Sequence, residues 1–435
     1  MTALSTGLAR TVTRPKRLAG EIRVPGDKSI SHRAILHNLI ARGSARVENL
    51  GPGDDIGSSL SCARALGAEV VELGNGAVII RAPESGLIEP EDVLDAGNSG
   101  TTTRLLTGIL ASQPFFTTVT GDASLRSRPM ERIIGPLRKM GAIAYARGHD
   151  EYLPMAIRGG DLHGIDYALP AASAQVKSCL LLAGAMADGT TQIHEPAASR
   201  DHTERLLRAQ GAHISVDGLD ISIEGRVPLH TVDVVVPGDT SSAAFWVVAA
   251  CVHPDAHIVV RGVGLTEGRT GLFDVLIAMG ADLKITNGRI EGGEDVGDVT
   301  AQTSVLHGVH VGGELIPRLI DEVPVLAIAA ACAQGDTVIS DAQELRYKES
   351  DRIAVVATEL NKIGARIEEQ PAGMVIHGGR GLPGGTANSH GDHRMAMALA
   401  IAGLLSDEPV SVQRPECVSV SYPGFWTDLA RIAAS

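Results

Sequence analysis

Apolar residues along the chain follow two spacings in turn. Leu60, Ala63 and Leu66, and later Ile353, Val356, Leu360 and Ile363, recur at steps of three and four, the period of a helix with one buried face. Such runs end at a tripeptide closing in Gly-Ala: Leu66-Gly67-Ala68, Met140-Gly141-Ala142, Gln210-Gly211-Ala212, Met279-Gly280-Ala281 and Ile363-Gly364-Ala365. A glycine suits the position just past a helix, where a left-handed backbone costs it nothing. The pattern then changes to that of a hairpin, as in Ala68-Glu69-Val70-Val71-Glu72-Leu73, Gly74-Asn75-Gly76 and Ala77-Val78-Ile79-Ile80. Asp217-Gly218 and Asn287-Gly288 predict the turns of two more hairpins.

A second kind of helix is apolar around most of its circumference, as in Ser178-Cys179-Leu180-Leu181-Leu182-Ala183 and Ala327-Ile328-Ala329-Ala330-Ala331. Such helices belong inside a packed domain. They open after polar residues near Ser29, Gly100, Ser173, Ser241, Asp321 and Asp392, at spacings of 71, 73, 68, 80 and 71 residues. Six repeats, each with two helices and several strands, therefore fill the chain. Val24-Pro25-Gly26-Asp27-Lys28-Ser29 returns as Val236-Pro237-Gly238-Asp239-Thr240-Ser241, which divides the repeats into two sets of three. The reading is an α/β protein with a continuous domain over 25–236 and a discontinuous one from 1–24 plus 237–435. Stiff hinge crossings are expected near 24–26 and 236–238. The last repeat lacks a terminal hairpin, and the strand Gly20-Glu21-Ile22-Arg23-Val24 is expected to complete it. A purely architectural solenoid would carry terminal caps and would not vary the residues that open its helices.

Composition narrows the function classes. The chain of 435 residues carries 38 Lys+Arg against 51 Asp+Glu, a formal charge of −13. That balance, with only 5 Phe, 5 Tyr and 2 Trp, argues against nucleic acid, which asks for a basic face and stacking rings. The 50 glycines have no collagen period and imply many turns. Five cysteines, at 62, 179, 251, 332 and 417, form no C-x-x-C pair and suit a reducing compartment, so a cytoplasmic location is expected. The longest apolar run, Met395 to Leu405, is far short of the roughly 20 residues that span a bilayer, and no membrane association is expected. Arg10, Arg14, Lys16 and Arg17 read as a short disordered basic arm rather than a secretory signal.

The six helix openings differ where packing alone would keep them alike. They read Asp27-Lys28-Ser29-Ile30-Ser31-His32-Arg33, Asn98-Ser99-Gly100-Thr101-Thr102-Thr103-Arg104, Ser173-Ala174-Gln175-Val176-Lys177, Asp239-Thr240-Ser241-Ser242, Asp321-Glu322-Val323-Pro324 and His390-Gly391-Asp392-His393-Arg394. Backbone N–H groups at a helix start, the positive end of its dipole and nearby Arg or Lys favour bound anions. Three loops add charge: Leu125-Arg126-Ser127-Arg128-Pro129-Met130, Ser199-Arg200-Asp201-His202 and Arg346-Tyr347-Lys348-Glu349-Ser350-Asp351-Arg352. Arginine forks match phosphate and carboxylate, and adjacent Lys and Glu can move protons. The reading is a strongly cationic cleft for a ligand with several phosphates or carboxylates. No phosphate-loop fingerprint is present, nor is the Ser of a nucleophile elbow. His390, Asp392 and His393 lack the spacing of a metal site.

These motifs closely resemble the 5-enolpyruvylshikimate-3-phosphate (EPSP) synthase family from Arg17 to Arg431. The most specific are Pro25-Gly26-Asp27-Lys28-Ser29-Ile30-Ser31-His32-Arg33-Ala34, Gly97-Asn98-Ser99-Gly100-Thr101, Arg346 to Arg352 and Gly391-Asp392-His393-Arg394. The resemblance implies the two-domain enolpyruvyl transferase fold, six βαβαββ units, three per domain, forming an inside-out α/β barrel. It implies transfer of the enolpyruvyl group of phosphoenolpyruvate to the 5-hydroxyl of shikimate 3-phosphate through a tetrahedral ketal, by a monomer with no cofactor and no metal. For shikimate 3-phosphate it implies contact with Lys28, Ser29, Arg33, Ser173, Ala174, Gln175, Arg200, Asp321 and Lys348. For phosphoenolpyruvate it implies Lys28, Asn98, Gly100, Arg128, Gln175, Arg352 and Arg394. The implied catalytic residues are Lys28, Asp321 and Glu349, with Asp321 accepting the hydroxyl proton.

One position departs from the family pattern. Val420 stands where many members carry Lys, and the Ser-Ala-Gln opening with Arg200 is similar to the more divergent, class II-like bacterial branch. Gly100 is retained where a methyl group would crowd glyphosate, so competition of that inhibitor with phosphoenolpyruvate is expected. A UDP-N-acetylglucosamine enolpyruvyl transferase is the nearest alternative, but the stretch Gly121 to Pro129 lacks that family's reactive cysteine. A non-catalytic polyanion-binding protein on the same scaffold would not need Asp321 and Glu349. Empty half-clefts are expected to stand open and to close on shikimate 3-phosphate.

Overall fold

The structure is a computed structural model and describes residues 9–434. The chain divides into two compact units. The first holds Gly26–Val236 with Glu291–Gly293; the second holds the described residues up to Pro25, Pro237–Ile290 and those from Glu294 onward.

In the first unit the helices come in pairs along the chain: α1 (Lys28–His37) and α2 (Asp54–Ala65), α3 (Gly100–Leu110) and α4 (Glu131–Lys139), α5 (Ala174–Met186) and α6 (His202–Ala209). The second unit holds α7 (Thr240–Val252), α8 (Gly271–Ala278), the short α9 (Leu315–Leu319), α10 (Val323–Cys332), α11 (Arg352–Lys362), α12 (His393–Leu405) and α13 (Phe425–Ala433). The apolar helices are the buried ones; every residue of α3 and of α12 is buried. Helices α3 and α5 approach so closely that a Cβ on Gly108 would lie 2.2 Å from the carbonyl oxygen of Cys179. The five Gly-Ala stops each fall just past a helix, with φ from +90° to +111° at Gly67, Gly141, Gly211, Gly280 and Gly364. Each unit has its own apolar core, and among the described residues no helix is long and apolar enough to cross a membrane.

Side-chain caps set five of the six apolar helix starts. Asp27 accepts from the Ile30 N–H at 2.9 Å, Ser99 from Thr102 at 3.0 Å, Ser173 from Val176 at 3.5 Å, Asp239 from Ser241 at 2.7 Å and Asp392 from Arg394 at 2.9 Å. Each cap satisfies one of the four N–H groups that a helix start leaves over. Helix α10 differs: Asp321 lies in a 3₁₀ turn, Ile320–Glu322, that precedes it.

Among the described residues, five four-stranded sheets share one plan, in which a leading strand runs parallel to a central strand that pairs on its other side with a hairpin, and a sixth, three-stranded sheet lacks the hairpin. In the first repeat the central strand is Ser44–Glu48 and the hairpin is Glu69–Gly74 with Ala77–Arg81. Its leading strand, Val234–Val235, returns from the far end of the unit, with Val234 opposite Val47. The sheet around Ala256–Gly264 takes its leading strand from the N-terminal segment, Leu18–Ile22, with Leu18 opposite Ala256 and Ile22 opposite Val260. This corrects the expectation that Gly20–Val24 completes the last repeat. The vacant hairpin position there is filled by Arg10–Val12, antiparallel to Val410–Gln413. Burial decides the assignment: Leu18 and Ile22 insert into the core beside α7, while Val12 packs on Gly403 of α12.

Two further expectations change. The basic stretch is anchored from Arg10 on rather than disordered: Arg10 lies over the Trp426 ring at 4.8 Å, Arg14 pairs with Asp407 at 3.1 Å and Arg17 with Asp255 at 3.7 Å. Residues 1–8 of that arm lie outside the described residues. Asn287-Gly288 is not a hairpin turn but lies within the strand Asp282–Glu291, and the turn falls at Gly292-Gly293. Asn287, at φ 53°, kinks the strand and donates to Asp298 Oδ2 at 2.8 Å, while the Gly262 N–H of a neighbouring bulge donates to Oδ1 at 2.9 Å. Burial opposes the charge on Asp298, but these donors and Arg261 outweigh it and hold the carboxyl at about 2.

Candidate active site

In the first unit, three helix openings and one loop bring together polar side chains. Lys28, in the first turn of α1, reaches Asp55 of α2 at 3.0 Å, with 17% of its side chain exposed. Arg33, one turn further on, is buried and donates to the Ser29 carbonyl (2.9 Å), to Ser178 Oγ of α5 (2.8 Å) and to Thr203 Oγ1 of α6 (2.8 Å). Asn98, just before α3, accepts from Arg128 Nη2 at 2.8 Å and donates to Asp122 at 2.7 Å. Gln175 of α5 accepts from Arg104 of α3 and donates to Thr101 Oγ1 at 2.9 Å. A Cβ on Gly100 would stand 2.8 Å from Arg104 Nη1 and 3.4 Å from Arg128 Nη1. The bare glycine therefore lets two guanidinium groups lie beside a helix start.

Beneath these side chains runs a buried chain of small polar groups. His32 Nδ1 is 2.8 Å from Ser59 Oγ, which is 2.8 Å from Thr102 Oγ1; that hydroxyl donates to the cap Ser99 at 2.8 Å. The chain links α1, α2 and α3. Burial first, then the cations Lys28 and Arg33, push the His32 imidazole well below its usual pKa, so it serves as a neutral hydrogen-bonding group.

The second unit gathers charge of both signs. Asp321 Oδ1 is 3.2 Å from Lys348 Nζ and 3.3 Å from Arg352 Nη1, and Oδ2 is 4.0 Å from Arg394 Nη2. Arg352, wholly buried at the start of α11, also holds Glu349 at 2.7 Å and the Asp392 cap of α12 at 2.8 Å. Burial disfavours the charge on Arg352, but the surrounding carboxylates more than offset it and its pKa is raised. The same pairing, working against burial, holds Asp392 below the usual carboxylate range. The cluster extends through Arg394 to Glu322 (3.6 Å), whose other contact is the Ser241 hydroxyl, and from Ser241 to Arg269 (2.9 Å), which also binds the Asp239 cap of α7 at 2.9 Å.

Residues 12–429 match the family described as EPSP synthase (3-phosphoshikimate 1-carboxyvinyltransferase). The chain belongs to the EPSP synthase family. It is 51% identical over 428 residues to the 3-phosphoshikimate 1-carboxyvinyltransferase of Gloeobacter violaceus, covering 98% of this chain and 99% of that one. It is 53% identical over 429 residues to that of Roseiflexus castenholzii, covering 98% and 100%. The solved EPSP synthase of Acinetobacter baumannii is 44% identical, with a TM-score of 0.85 over 97% of each chain. The enolpyruvyl transferase NikO of Streptomyces tendae, 20% identical with a TM-score of 0.78 over 98% of each chain, shares the fold.

Within this EPSP synthase family member, the structure separates the charged motifs that looked alike in sequence. Lys28, Ser29, Arg33, Asn98, Gly100, Arg128, Ser173, Ala174 and Gln175 lie at or beside the openings of α1, α3 and α5, and Arg200 lies just before α6. Asp321, Lys348, Glu349, Arg352 and Arg394 form the second cluster. Other charges of the same motifs are braces: Arg126 folds back onto the Gly121 carbonyl, and Arg346 binds Asp351 at 2.7 Å and Glu369 at 3.0 Å. His390 turns to Glu359 at 2.7 Å, away from the metal grouping weighed for it. Val420 closes the 3₁₀ turn Pro415–Val420 and is half-buried. Sequence reasoning passed over Asp55, Glu322 and the structural part of Arg104. Of these only Asp55 left a local sign, as an acid in the first turn of a helix.

Proposed function

We propose that this chain transfers the enolpyruvyl group of phosphoenolpyruvate to the 5-hydroxyl of shikimate 3-phosphate and releases phosphate, as the name of its family describes. The observation that carries the reading is the Asp321 cluster. A mostly buried carboxylate is oriented by Lys348 and Arg352 on one oxygen, and a second carboxylate, Glu349, is held by the same arginine. Two oriented carboxylates beside three cations suit a reaction that moves protons between anionic partners.

Asp321 Oδ2, with its longer contact to Arg394, is assigned the hydroxyl proton as the hydroxyl oxygen bonds to C2 of phosphoenolpyruvate. A proton added at the methylene carbon completes a tetrahedral ketal that still carries the phosphate. Elimination then removes a methyl proton and expels phosphate, restoring the double bond. Lys28 and Glu349 are assigned these transfers at carbon and at the leaving group. Ser29, Arg33, Ser173, Ala174, Gln175, Arg200 and Lys348 are assigned to shikimate 3-phosphate, and Asn98, Gly100, Arg128, Gln175, Arg352 and Arg394 to phosphoenolpyruvate. Arg33 and Arg352 are buried and engaged on several sides, so we assign their main effect to fixing Ser29 and the two carboxylates. We place the reaction in the cytoplasm, where free thiols such as buried Cys62 and Cys179 stay reduced.

The deciding measurement is phosphate release from phosphoenolpyruvate with each of two acceptors. Turnover with shikimate 3-phosphate and none with UDP-N-acetylglucosamine is expected; the reverse result, or release with neither, would reject the reading.

A further inference from the structure

Helix α5 is apolar apart from its opening and two residues, Lys177 and Ser178. Lys177, two positions past Gln175, has a side chain only 1% exposed. Its ammonium is 2.8 Å from Glu195 Oε2 and 2.7 Å from Glu204 Oε1, carboxylates that are themselves 4% and 3% exposed. It also donates to the Ser199 carbonyl at 3.4 Å, and the Ser199 hydroxyl donates to the other oxygen of Glu195. Glu195 follows the strand Thr190–His194 and Glu204 lies in the first turn of α6. One cation therefore ties three segments together in the interior of the first unit.

Stability alone does not account for such a cluster. Taking an ammonium and two carboxylates out of water is costly, and apolar side chains of similar volume hold a core at least as well. What the charged cluster does, and an apolar one would not, is hold Ser199 at two points, its backbone carbonyl through Lys177 and its side-chain hydroxyl through Glu195. The next residue is Arg200. A long arginine on an untethered loop would lose rotational and loop freedom each time it met a ligand, whereas a tethered one has lost most of it beforehand.

We propose that Lys177 is a positioning residue for shikimate 3-phosphate: with Glu195 and Glu204 it fixes Ser199-Arg200 so that the Arg200 guanidinium meets an anionic group of that substrate. The proposal rests on the reaction assigned above and on the assignment of Arg200. Lys177 itself touches no substrate and acts through its neighbour.

The test is a set of steady-state measurements on the wild type, Arg200→Ala, Lys177→Met, the double variant and Ser199→Ala. Lys177→Met is expected to raise KM for shikimate 3-phosphate about tenfold and to leave KM for phosphoenolpyruvate within about twofold. Because Lys177 works through Arg200, the double variant should be no worse than Arg200→Ala by more than about twofold. Should Lys177→Met fail to fold, Ser199→Ala decides, since it keeps the buried ion pairs; a rise of about threefold in KM, confined to shikimate 3-phosphate, is expected. Unmoved KM values in a folded variant, equal rises for both substrates, or losses that add to that of Arg200→Ala would overturn the proposal. A wild type with no turnover would remove the assigned reaction and the proposal together; an active wild type with these contrary results would remove the proposal alone.

Discussion

The buried arginines near the helix openings of the two units are held by different kinds of partner. In the first, Arg33, Arg104 and Arg128 donate to neutral oxygens, among them Thr203, Ser178, the Ser29 and Pro129 carbonyls, Gln175, Asn98 and Ser124. Such partners orient a guanidinium without cancelling its charge. In the second, Lys348, Arg352, Arg394 and Arg269 all lie against carboxylates: Asp321, Glu349, Asp392, Glu322 and Asp239. In the second unit cations and carboxylates interlock, as Lys28 does with Asp55 at one opening of the first. The first arrangement is suited to gripping an anion and the second to holding carboxylates in place for proton transfer. A charge run read from sequence supplies the sign of a side chain but not the task that its partner leaves for it.

If the carboxylates of the second unit do the proton transfer, the largest effect belongs to them and to Lys28. Glu349→Ala and Lys28→Ala are each expected to lower kcat by about a thousandfold or more, with thermal unfolding and far-ultraviolet spectra nearly unchanged. Near-normal turnover in either would remove its assigned role. Next comes stability. Arg352→Leu strips the shared cation from three carboxylates and is expected to cost about 3–5 kcal/mol in denaturant unfolding. Arg128→Leu removes its hydrogen bonds to Asn98 and Ser124 and is expected to cost about 1–2 kcal/mol while raising KM for phosphoenolpyruvate. Equal costs would erase the distinction between the units.

A smaller effect is expected at Gly100. The methyl group of Gly100→Ala would meet the far ends of two flexible arginines, which can shift, so the fold is kept and KM for phosphoenolpyruvate rises about three- to tenfold. A variant with unaltered kinetics would place Arg104 and Arg128 away from the substrate.

The mildest contrast concerns acid. His32 and His37 are buried and neutral, and burial with the nearby Arg33 pushes His37 down to about 3. An unfolded histidine takes up its proton near about 6.5, so the stability these two residues contribute is whole above that pH and falls as pH drops from there toward the folded values. Asp392, with its lowered pKa, behaves in the other way typical of carboxylates: its contribution is whole above about 3.9 and is lost only as pH falls through its folded value. Hydrogen exchange, corrected for intrinsic rates, is thus expected to show α1 losing protection between pH 7 and 5 while α12 keeps its own. Loss at α12 first would contradict the assignment.

Periodicity and capping chemistry act over a few residues, so the chain by itself determined much of the local structure. The helices before Gly67, Gly141, Gly211, Gly280 and Gly364, the hairpins after them and the six polar openings were legible without coordinates, and the residues proposed for the site were drawn from those openings and the charged loops. Tertiary structure decided the long-range matters. Two N-terminal strands could each have joined either incomplete sheet, and only the fit of Leu18 and Ile22 into one core and of Val12 into another settled which went where. Asn287-Gly288 carries the local chemistry of a turn, yet the buried carboxylate of Asp298, eleven residues away, makes it a kink. The partners of Arg352, Lys28 and Lys177 depended likewise on which loops and helices meet. A side chain states its own charge, whereas the energy of that charge depends on burial and on neighbours brought from distant parts of the chain.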